Sequence, residues 1–191
     1  ASGGYAFTEN IPWVADLGVH YGLGVDGFSL PLVLLTNVIG FCAVFSRSWS
    51  VEKRAKEFYI LLLIFIAGVM GTFLATDLFI FFLFYEVVVI PIYIMVIVWG
   101  SGSKTRKDIG KEYAGMKLTI YLLIGSAFLL AGIIWMYMLA GDMLGAPTFD
   151  LTTLATLNFD PNLQIAIFGL MALGFTSLIS MFPFHSWSPD G

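Results

Sequence analysis

Charged residues are scarce in this chain. Asp, Glu, Lys and Arg make up 12% of the 191 residues, about half of the fraction in soluble domains, and the mean hydropathy is +0.90. The net charge of −4 argues against a nucleic-acid partner, which needs a basic surface. The only cysteine, Cys42, excludes an internal disulfide and a cysteine-built metal site. The composition therefore predicts an all-α, polytopic integral membrane protein.

Catalytic and cofactor motifs are also missing. The sequence has no Ser/His/Asp set, no phosphate loop and no paired catalytic acids, so we expect no covalent chemistry and no metal site. A literal G-x-G-x-x-G occurs at Gly22 to Gly27, but a membrane span follows it, and we interpret it as a glycine-permitted turn. No initiator methionine or signal-peptide pattern stands at the start, and the end does not resemble a finished terminus. We therefore expect an internal fragment of a longer protein.

Five apolar runs are long enough to cross a bilayer, which takes roughly 20 residues. Within a transmembrane bundle of residues 30–191, they cover residues 30–46, 58–76, 78–99, 113–139 and 163–184. Residues 1–29 contain three acids and no Lys or Arg, and are expected to form an extracytoplasmic loop. The basic loops 47–57 and 100–112 then both lie on the cytoplasmic side. Residues 150–157 predict a short capped helix with its leucines on the membrane interface.

One carboxylate stands near the middle of the third run. The helical neighbours of Glu86 are all apolar: Phe82, Leu83, Val89 and Ile90. Inserting an acid at that depth costs on the order of 3 kcal/mol or more, and such groups are typical of ion or proton pathways. Pro91 lacks an N–H, so we expect the helix to bend or break there. Glu86 is therefore either a proton site or a structural carboxylate paired with a neighbouring helix.

Two further residues are candidates for proton movement. Lys117 lies about four residues inside the fourth run, and either extends to the headgroups or turns inward to balance Glu86. An attractive pair would favour the ionised carboxylate, and its loss would favour the protonated one. His185 follows Pro183, where we expect a second helix break, and either relays protons or caps the helix end.

Several stretches resemble a known family when they are taken in order. They are Gly24-Val-Asp-Gly27-Phe-Ser-Leu-Pro31, Lys56-Glu-Phe-Tyr59, Phe82-Leu-Phe-Tyr-Glu86-Val-Val-Val-Ile-Pro91-Ile-Tyr93 with Trp99-Gly100, Lys117-Leu-Thr-Ile-Tyr121-Leu-Leu-Ile-Gly125-Ser126, and Phe182-Pro-Phe-His185-Ser-Trp187-Ser-Pro-Asp190. Together they resemble the antiporter-like subunit M, or chain 4, of respiratory complex I, the proton-pumping NADH:quinone oxidoreductase.

The resemblance implies a subunit of about fourteen membrane helices with two inverted five-helix repeats, each a proton half-channel. This chain would hold most of one repeat, and Lys117 matches the family lysine of the helix after Glu86. In the family, the matched glutamate pairs with a lysine and modulates its proton affinity. The resemblance further implies that the chain binds no cofactor, that the whole complex uses NADH and quinone, and that its partners are other membrane-arm subunits and lipid. A bacterial inner (plasma) membrane is expected, with an organelle inner membrane as the alternative.

One departure from the family bears on the function. The family has a central lysine before the Pro-x-His motif, and counting back from His185 places Leu178 there, with Ser180 in place of a nearby proline. No Lys, Arg, Asp or Glu lies between Leu163 and Trp187. The chain is therefore a divergent proton-translocating member or a non-pumping scaffold. A subunit of a related cation/proton antiporter or membrane-bound hydrogenase is a further alternative.

Overall fold

The structure, a computed structural model, describes residues 4–47, 54–100 and 110–189. Its elements are β1 (Ala6–Val14), β2 (Val19–Val25), α1 (Ser29–Arg47), α2 (Ala55–Leu74), α3 (Leu78–Trp99), α4 (Lys111–Leu144), α5 (Leu151–Leu154) and α6 (Pro161–Leu178), with 3-10 turns at Ala15–Leu17 and Phe184–Trp187. Lys53, Lys104, Arg106 and Lys107 of the predicted basic loops lie outside the described residues, as does Asp190.

Five helices, α1 to α4 and α6, are long and apolar enough to cross a membrane. This confirms the predicted all-α membrane architecture of five spans. The 22 residues of α3 extend over about 33 Å at 1.5 Å per residue, which matches the hydrocarbon core of a bilayer. The fourth span is longer than predicted, because α4 continues through Gly141 and ends where Gly145 adopts a left-handed conformation (φ 77°).

The chain divides into two compact units. The first holds the residues up to Pro91 together with Thr148–Ala155, and the second holds Ile92–Pro147 and the residues from Thr156 onward. The boundary falls inside α3, so Glu86 belongs to the first unit, and Lys117 and His185 belong to the second.

In the first unit, the predicted loop of residues 1–29 is wrong over the segment that β1 and β2 occupy. These strands form an antiparallel hairpin in which Ile11 lies opposite Tyr21. Gly18, with φ 64°, makes the reversal between them. Gly22 and Gly24 alternate here with Tyr21, Leu23 and Val25, and aromatic and β-branched residues favour strands. Asp16 and Asp26 lie outside the two strands.

The glycine motif lies in this hairpin and serves its packing. The amide of Thr76 donates to the carbonyl of Gly22 over 3.0 Å, and a side chain on Gly22 would come within 2.5 Å of the Thr76 hydroxyl oxygen. Glycine is therefore needed at position 22 because the strand runs directly against the link between α2 and α3. The turn predicted for the motif is wrong at Gly22 and Gly24, which lie within β2.

Asp77 joins the hairpin to the start of α3. One carboxylate oxygen accepts from the amides of Phe79 and Ile80 at 2.8 and 3.2 Å, and the other accepts from the amide of His20 at 3.1 Å. Burial raises the pKa of the Asp77 carboxyl, and these three N–H donors oppose the shift. Asp77 is 2% exposed, so these hydrogen bonds are shielded from solvent at the start of α3.

The short helix α5 follows its predicted cap. Asp150 accepts from the amide of Thr153 at 2.9 Å, which is the bond expected of an N-terminal cap. The predicted placement of its leucines on the membrane interface is wrong for Leu154, which is 5% exposed. The backbone pairs this segment with the α2–α3 link, since Leu151 donates to the carbonyl of Thr76, and that pairing turns Leu154 inward.

In the second unit, α4 and α6 approach each other closely through small residues. A side chain on Gly125 would lie 2.5 Å from the Cβ of Ser177, and one on Gly174 would lie 2.7 Å from the Cβ of Leu129. The buried face of α4 continues with large apolar side chains: Leu118, Leu122, Leu129 and Ile133. Small residues allow two membrane helices to pack backbone to backbone, and Gly125 and Gly174 do so here.

Candidate functional site

Glu86 lies near the middle of α3 and is half-buried. Its Oε1 atom is buried and has no hydrogen-bond partner among the described residues. The hydroxyl of the preceding residue, Tyr85, is likewise buried without a partner in the described part of the chain. A buried carboxylate oxygen without a partner lacks the hydrogen bonds that usually offset its lost hydration, so this atom is a candidate for contact with water or another chain.

Pro91 does not break the helix. α3 is continuous from Leu78 to Trp99 with Pro91 inside it, so a break at Pro91 is wrong, and the predicted bend stays a prediction. A proline removes only its own bond to the residue four positions earlier, here Val87, and the bonds on either side continue the helix. The carbonyl of Val87, the residue after Glu86, thus lacks its usual intrahelical N–H donor.

The last membrane helix ends earlier than predicted, at Leu178 instead of 184. Ser180 adopts a left-handed conformation with φ 50°, and Met181 donates to the carbonyl of Thr176 at 2.9 Å. This is the bond that closes a helix one residue after a left-handed position. The break therefore lies at Ser180, and Pro183 follows it in the connection to the 3-10 turn.

Trp187 folds back onto the end of α6. Its indole nitrogen donates to the carbonyl of Ser177 at 3.0 Å and satisfies one of the acceptors that a helix terminus leaves free. The hydroxyl oxygen of Ser177 is buried and has no hydrogen-bond partner among the residues described. His185, in the same 3-10 turn, is exposed, and its ring centroid is 5.9 Å from that of Phe182.

Lys117 reaches this turn from α4. Its ammonium donates to the backbone carbonyl of Ser186 at 2.6 Å, and it lies 6.0 Å from the centre of the Tyr113 ring. The hydroxyl of Ser186 donates to the hydroxyl of Tyr121 at 2.9 Å. The structure thus brings Lys117 to the segment that carries His185.

The predicted pairing of Lys117 with Glu86 stays a prediction, because the two residues belong to separate units. Three residues of the Lys117 environment were not singled out by sequence: Tyr121, Ser186 and Trp187. The spacing of Lys117 and Tyr121 was the available signal, since residues four apart share a helix face. No group of three or more His, Cys, Asp or Glu that could hold a metal occurs in the described ranges.

A cavity of about 430 Å³ adjoins the same turn. It is lined by Tyr121 and Ile124 of α4 and by Pro183 and Phe184 of the segment after α6. The ring centroids of Tyr121 and Phe184 are 6.3 Å apart in an edge-on arrangement. The cavity therefore lies beside Tyr121, whose hydroxyl accepts from Ser186.

Comparison with known proteins identifies the family. The family described as "NADH:quinone oxidoreductase/Mrp antiporter, TM" matches residues 75–191. A chain 4 of NAD(P)H-quinone oxidoreductase from Picosynechococcus sp. is 35% identical over 186 residues, which are 97% of this chain and 32% of that protein. Subunit M of the F(420)H(2) dehydrogenase of Methanosarcina mazei is 36% identical over 189 residues, which are 96% of this chain and 36% of that protein. The chain spans about a third of the length of these relatives.

Solved structures agree with this assignment. Respiratory complex I from Thermus thermophilus with bound NADH contains a chain that matches with a TM-score of 0.81 and 29% identity, over 99% of this chain and 37% of that one. The Mrp complex from Dietzia sp. DQ12-45-1b matches with a TM-score of 0.79 over 98% of this chain and 20% of that one, at 20% identity. At that identity the second match shows a shared fold alone.

Proposed function

We propose, since this chain belongs to the NADH:quinone oxidoreductase/Mrp antiporter transmembrane family, that it is part of a membrane-arm subunit of a proton-translocating NADH:quinone oxidoreductase. The complex I likeness over 99% of the chain and the chain 4 relative support this assignment. The subunit moves protons across the membrane while other subunits transfer electrons from NADH to quinone. This chain itself binds neither NADH nor quinone, and its partners are the other membrane-arm subunits and the lipid bilayer.

The observation that carries the proposal is the buried Oε1 of Glu86. The acid lies in the middle of a 22-residue apolar helix, with one oxygen buried and unbonded among the described residues. Acids at that depth of a membrane helix are typical of ion or proton pathways. Glu86 is the proton-binding group in this account.

Lys117 supplies the positive charge. Its ammonium donates to the backbone carbonyl of Ser186 at 2.6 Å, within the second unit. Its pairing with Glu86 remains part of the proposal. His185, on the exposed side of the same turn, accepts or delivers protons at the surface of the chain.

The electron donor of the whole complex has alternatives to NADH. The Methanosarcina relative, at 36% identity, is named for F(420)H(2), so a donor other than NADH is the alternative that the comparisons favour. A cation/proton antiporter or hydrogenase subunit is the third candidate. The scaffold alternative rests on Leu178, because the apolar face of α6 contains no charged side chain from Leu163 to Leu178.

The proposal includes the membrane in which the protein lies. The five spans establish an integral membrane protein by length and composition. We assign it to the plasma (inner) membrane of a bacterium, with an organelle inner membrane as the alternative. The pumped protons then leave the cytoplasmic side, where the basic loops are predicted to lie.

The test uses the full-length protein, tagged and purified with whatever assembles around it. The purified complex is reconstituted in liposomes and offered NADH, reduced F420 or hydrogen with a quinone, and proton movement is followed with a pH-sensitive dye. Proton movement driven by NADH supports the proposal. Movement driven only by reduced F420 or hydrogen, or a sodium gradient that exchanges for protons without a donor, replaces it with the matching alternative. Electron transfer without any proton movement supports the scaffold.

A further inference from the structure

Ser186 is held by two side chains of α4 at once. Lys117 donates to its carbonyl at 2.6 Å, and its hydroxyl donates to Tyr121 at 2.9 Å. Lys117 and Tyr121 are four residues apart, so they project from the same face of the helix one turn from each other. We name Lys117, Tyr121 and Ser186 the Ser186 latch.

The latch acts on the segment that follows α6. The chain leaves α6 at Leu178, reverses through Ser180 and becomes a 3-10 turn only at Phe184. Among the bonds of this segment, Trp187 ties it to the end of α6 and the latch ties it to α4. The hydroxyl pair is therefore one of the contacts that place the Ser186 carbonyl, which accepts from the Lys117 ammonium.

The two hydrogen bonds of the Ser186 latch differ, because one involves a charged group and the other joins two neutral hydroxyls. A carbonyl that accepts from an ammonium forms a charge-assisted bond, and these bonds are stronger than those between neutral groups. The Ser186 hydroxyl, which is not bonded to the lysine in this arrangement, instead orients the residue that supplies the carbonyl. Tyr121 thus acts on the ammonium indirectly. It binds the Ser186 hydroxyl, and the Ser186 carbonyl binds the ammonium.

We propose that Tyr121 and Ser186 are positioning residues that hold the Lys117 ammonium at the broken end of α6 for proton transfer. The inference rests on the proposed function and adds the residues that place its cation. Without the hydroxyl pair the Ser186 carbonyl remains but is held less firmly opposite the ammonium, and proton transfer slows while the helices remain assembled.

The variants are chosen to spare the packing. Tyr121→Phe keeps the ring against Phe184 and leaves the 430 Å³ cavity beside it, so no atom is forced into a new contact. Ser186→Ala removes the hydroxyl and keeps the carbonyl, and Ser186→Thr restores a hydroxyl. Ser188→Ala, at an exposed position two residues away, is the matched control.

The readout is the rate of proton pumping per electron transferred, measured in proteoliposomes of the full complex. Tyr121→Phe and Ser186→Ala each lower it roughly two- to tenfold, the range expected for one neutral hydrogen bond. Ser186→Thr restores most of the rate, and Ser188→Ala leaves it unchanged. An unchanged rate in the first two variants overturns the inference. Loss of assembly in Tyr121→Phe also overturns it, since the hydroxyl would then serve stability.

A double variant separates positioning from general damage. When Lys117→Met has already removed the ammonium, adding Tyr121→Phe is expected to cause no further loss of pumping, because nothing remains to be positioned. A further loss contradicts the inference. Glu86→Gln distinguishes the two levels of the account: pumping lost in Glu86→Gln but intact in Tyr121→Phe rejects the latch alone, whereas pumping intact in both rejects the proposed function.

Discussion

The ammonium nitrogen of Lys117 lies 2.6 Å from the backbone oxygen of Ser186, a residue 69 positions further along the chain. A lysine near the end of a membrane span ordinarily extends along its helix to the headgroups. Here the side chain instead turns to the segment that follows the broken end of α6. Lys117 therefore contacts the segment that begins where α6 ends, and removing its charge removes that contact.

Lys117→Met removes the charge and keeps the length of the side chain. Since the lost bond joins a charged group to a carbonyl, worth about 1.5–3 kcal/mol, we expect roughly a tenfold or greater loss of pumping rate in the full complex. Lys111→Met is the matched control, because Lys111 also donates to a backbone carbonyl, that of Val98 at 3.1 Å, but in the first turn of α4. Equal losses in both variants would show that Lys117 has no special part.

The left-handed conformation of Ser180 predicts an unusual order of stabilities. A residue with a Cβ at φ 50° is strained by about 1–2 kcal/mol relative to glycine. Ser180→Gly is therefore expected to raise the unfolding temperature of the full-length protein in detergent, and Ser180→Val to lower it, because a β-branched side chain tolerates this conformation least. If valine is tolerated as well as glycine, the reversal at position 180 is not left-handed.

The close crossing of α4 and α6 predicts a difference between two glycines. Gly125→Ala would place a methyl group 2.5 Å from the Cβ of Ser177, and the helices must separate, at an expected cost of about 1–3 kcal/mol in the free energy of unfolding. Gly169→Ala on α6 meets nothing within 4 Å and gains helix propensity of up to about 1 kcal/mol. Thermal unfolding in detergent measures both. A stabilising Gly125→Ala would contradict the packing described.

Asp77 predicts a pH dependence in the hairpin junction. Burial raises the pKa of its carboxyl, so the folded junction binds a proton more readily than the unfolded chain does. Its contribution to stability is therefore fully present below the ordinary aspartate value of about 3.9 and is lost as the pH rises through the raised pKa.

The measurement is hydrogen exchange at the amides of Phe79 and Ile80, corrected for the intrinsic effect of pH. The free energy of opening is expected to fall with rising pH in the natural protein and to stay level in Asp77→Asn. Asp16→Asn, at an exposed position, keeps the natural slope. A free energy that rises with pH in the natural protein would reverse the sign and contradict the burial argument.

The membrane spans were predictable because apolar runs of about 20 residues have few other uses. The end of α6 was not, since residues 163–184 form one apolar run and nothing local marks Ser180 as a stop. The reversal depends on partners that come later in the chain, above all the bond from Trp187 to Ser177.

The hairpin and the Ser186 latch were missed for related reasons. In the hairpin, the acids and glycines suggested a loop although β-branched and aromatic residues are more numerous, and the need for Gly22 became visible only beside Thr76. In the latch, Lys117 and Tyr121 were recognisable as one helix face, but their shared partner lies 65 residues beyond Tyr121. Contacts over such separations are set by packing, which periodicity along one helix does not describe.

The most direct test of the account is Glu86→Gln in the assembled complex, with Glu112→Gln, an exposed glutamate in the first turn of α4, as the control. Both changes replace a carboxyl by an amide of the same size, so only the loss of proton binding at a buried site distinguishes them. We predict that protons pumped per NADH oxidised fall in Glu86→Gln and stay at the natural ratio in Glu112→Gln, while electron transfer to quinone continues in both. A natural ratio in Glu86→Gln would contradict the claim that this carboxyl carries protons.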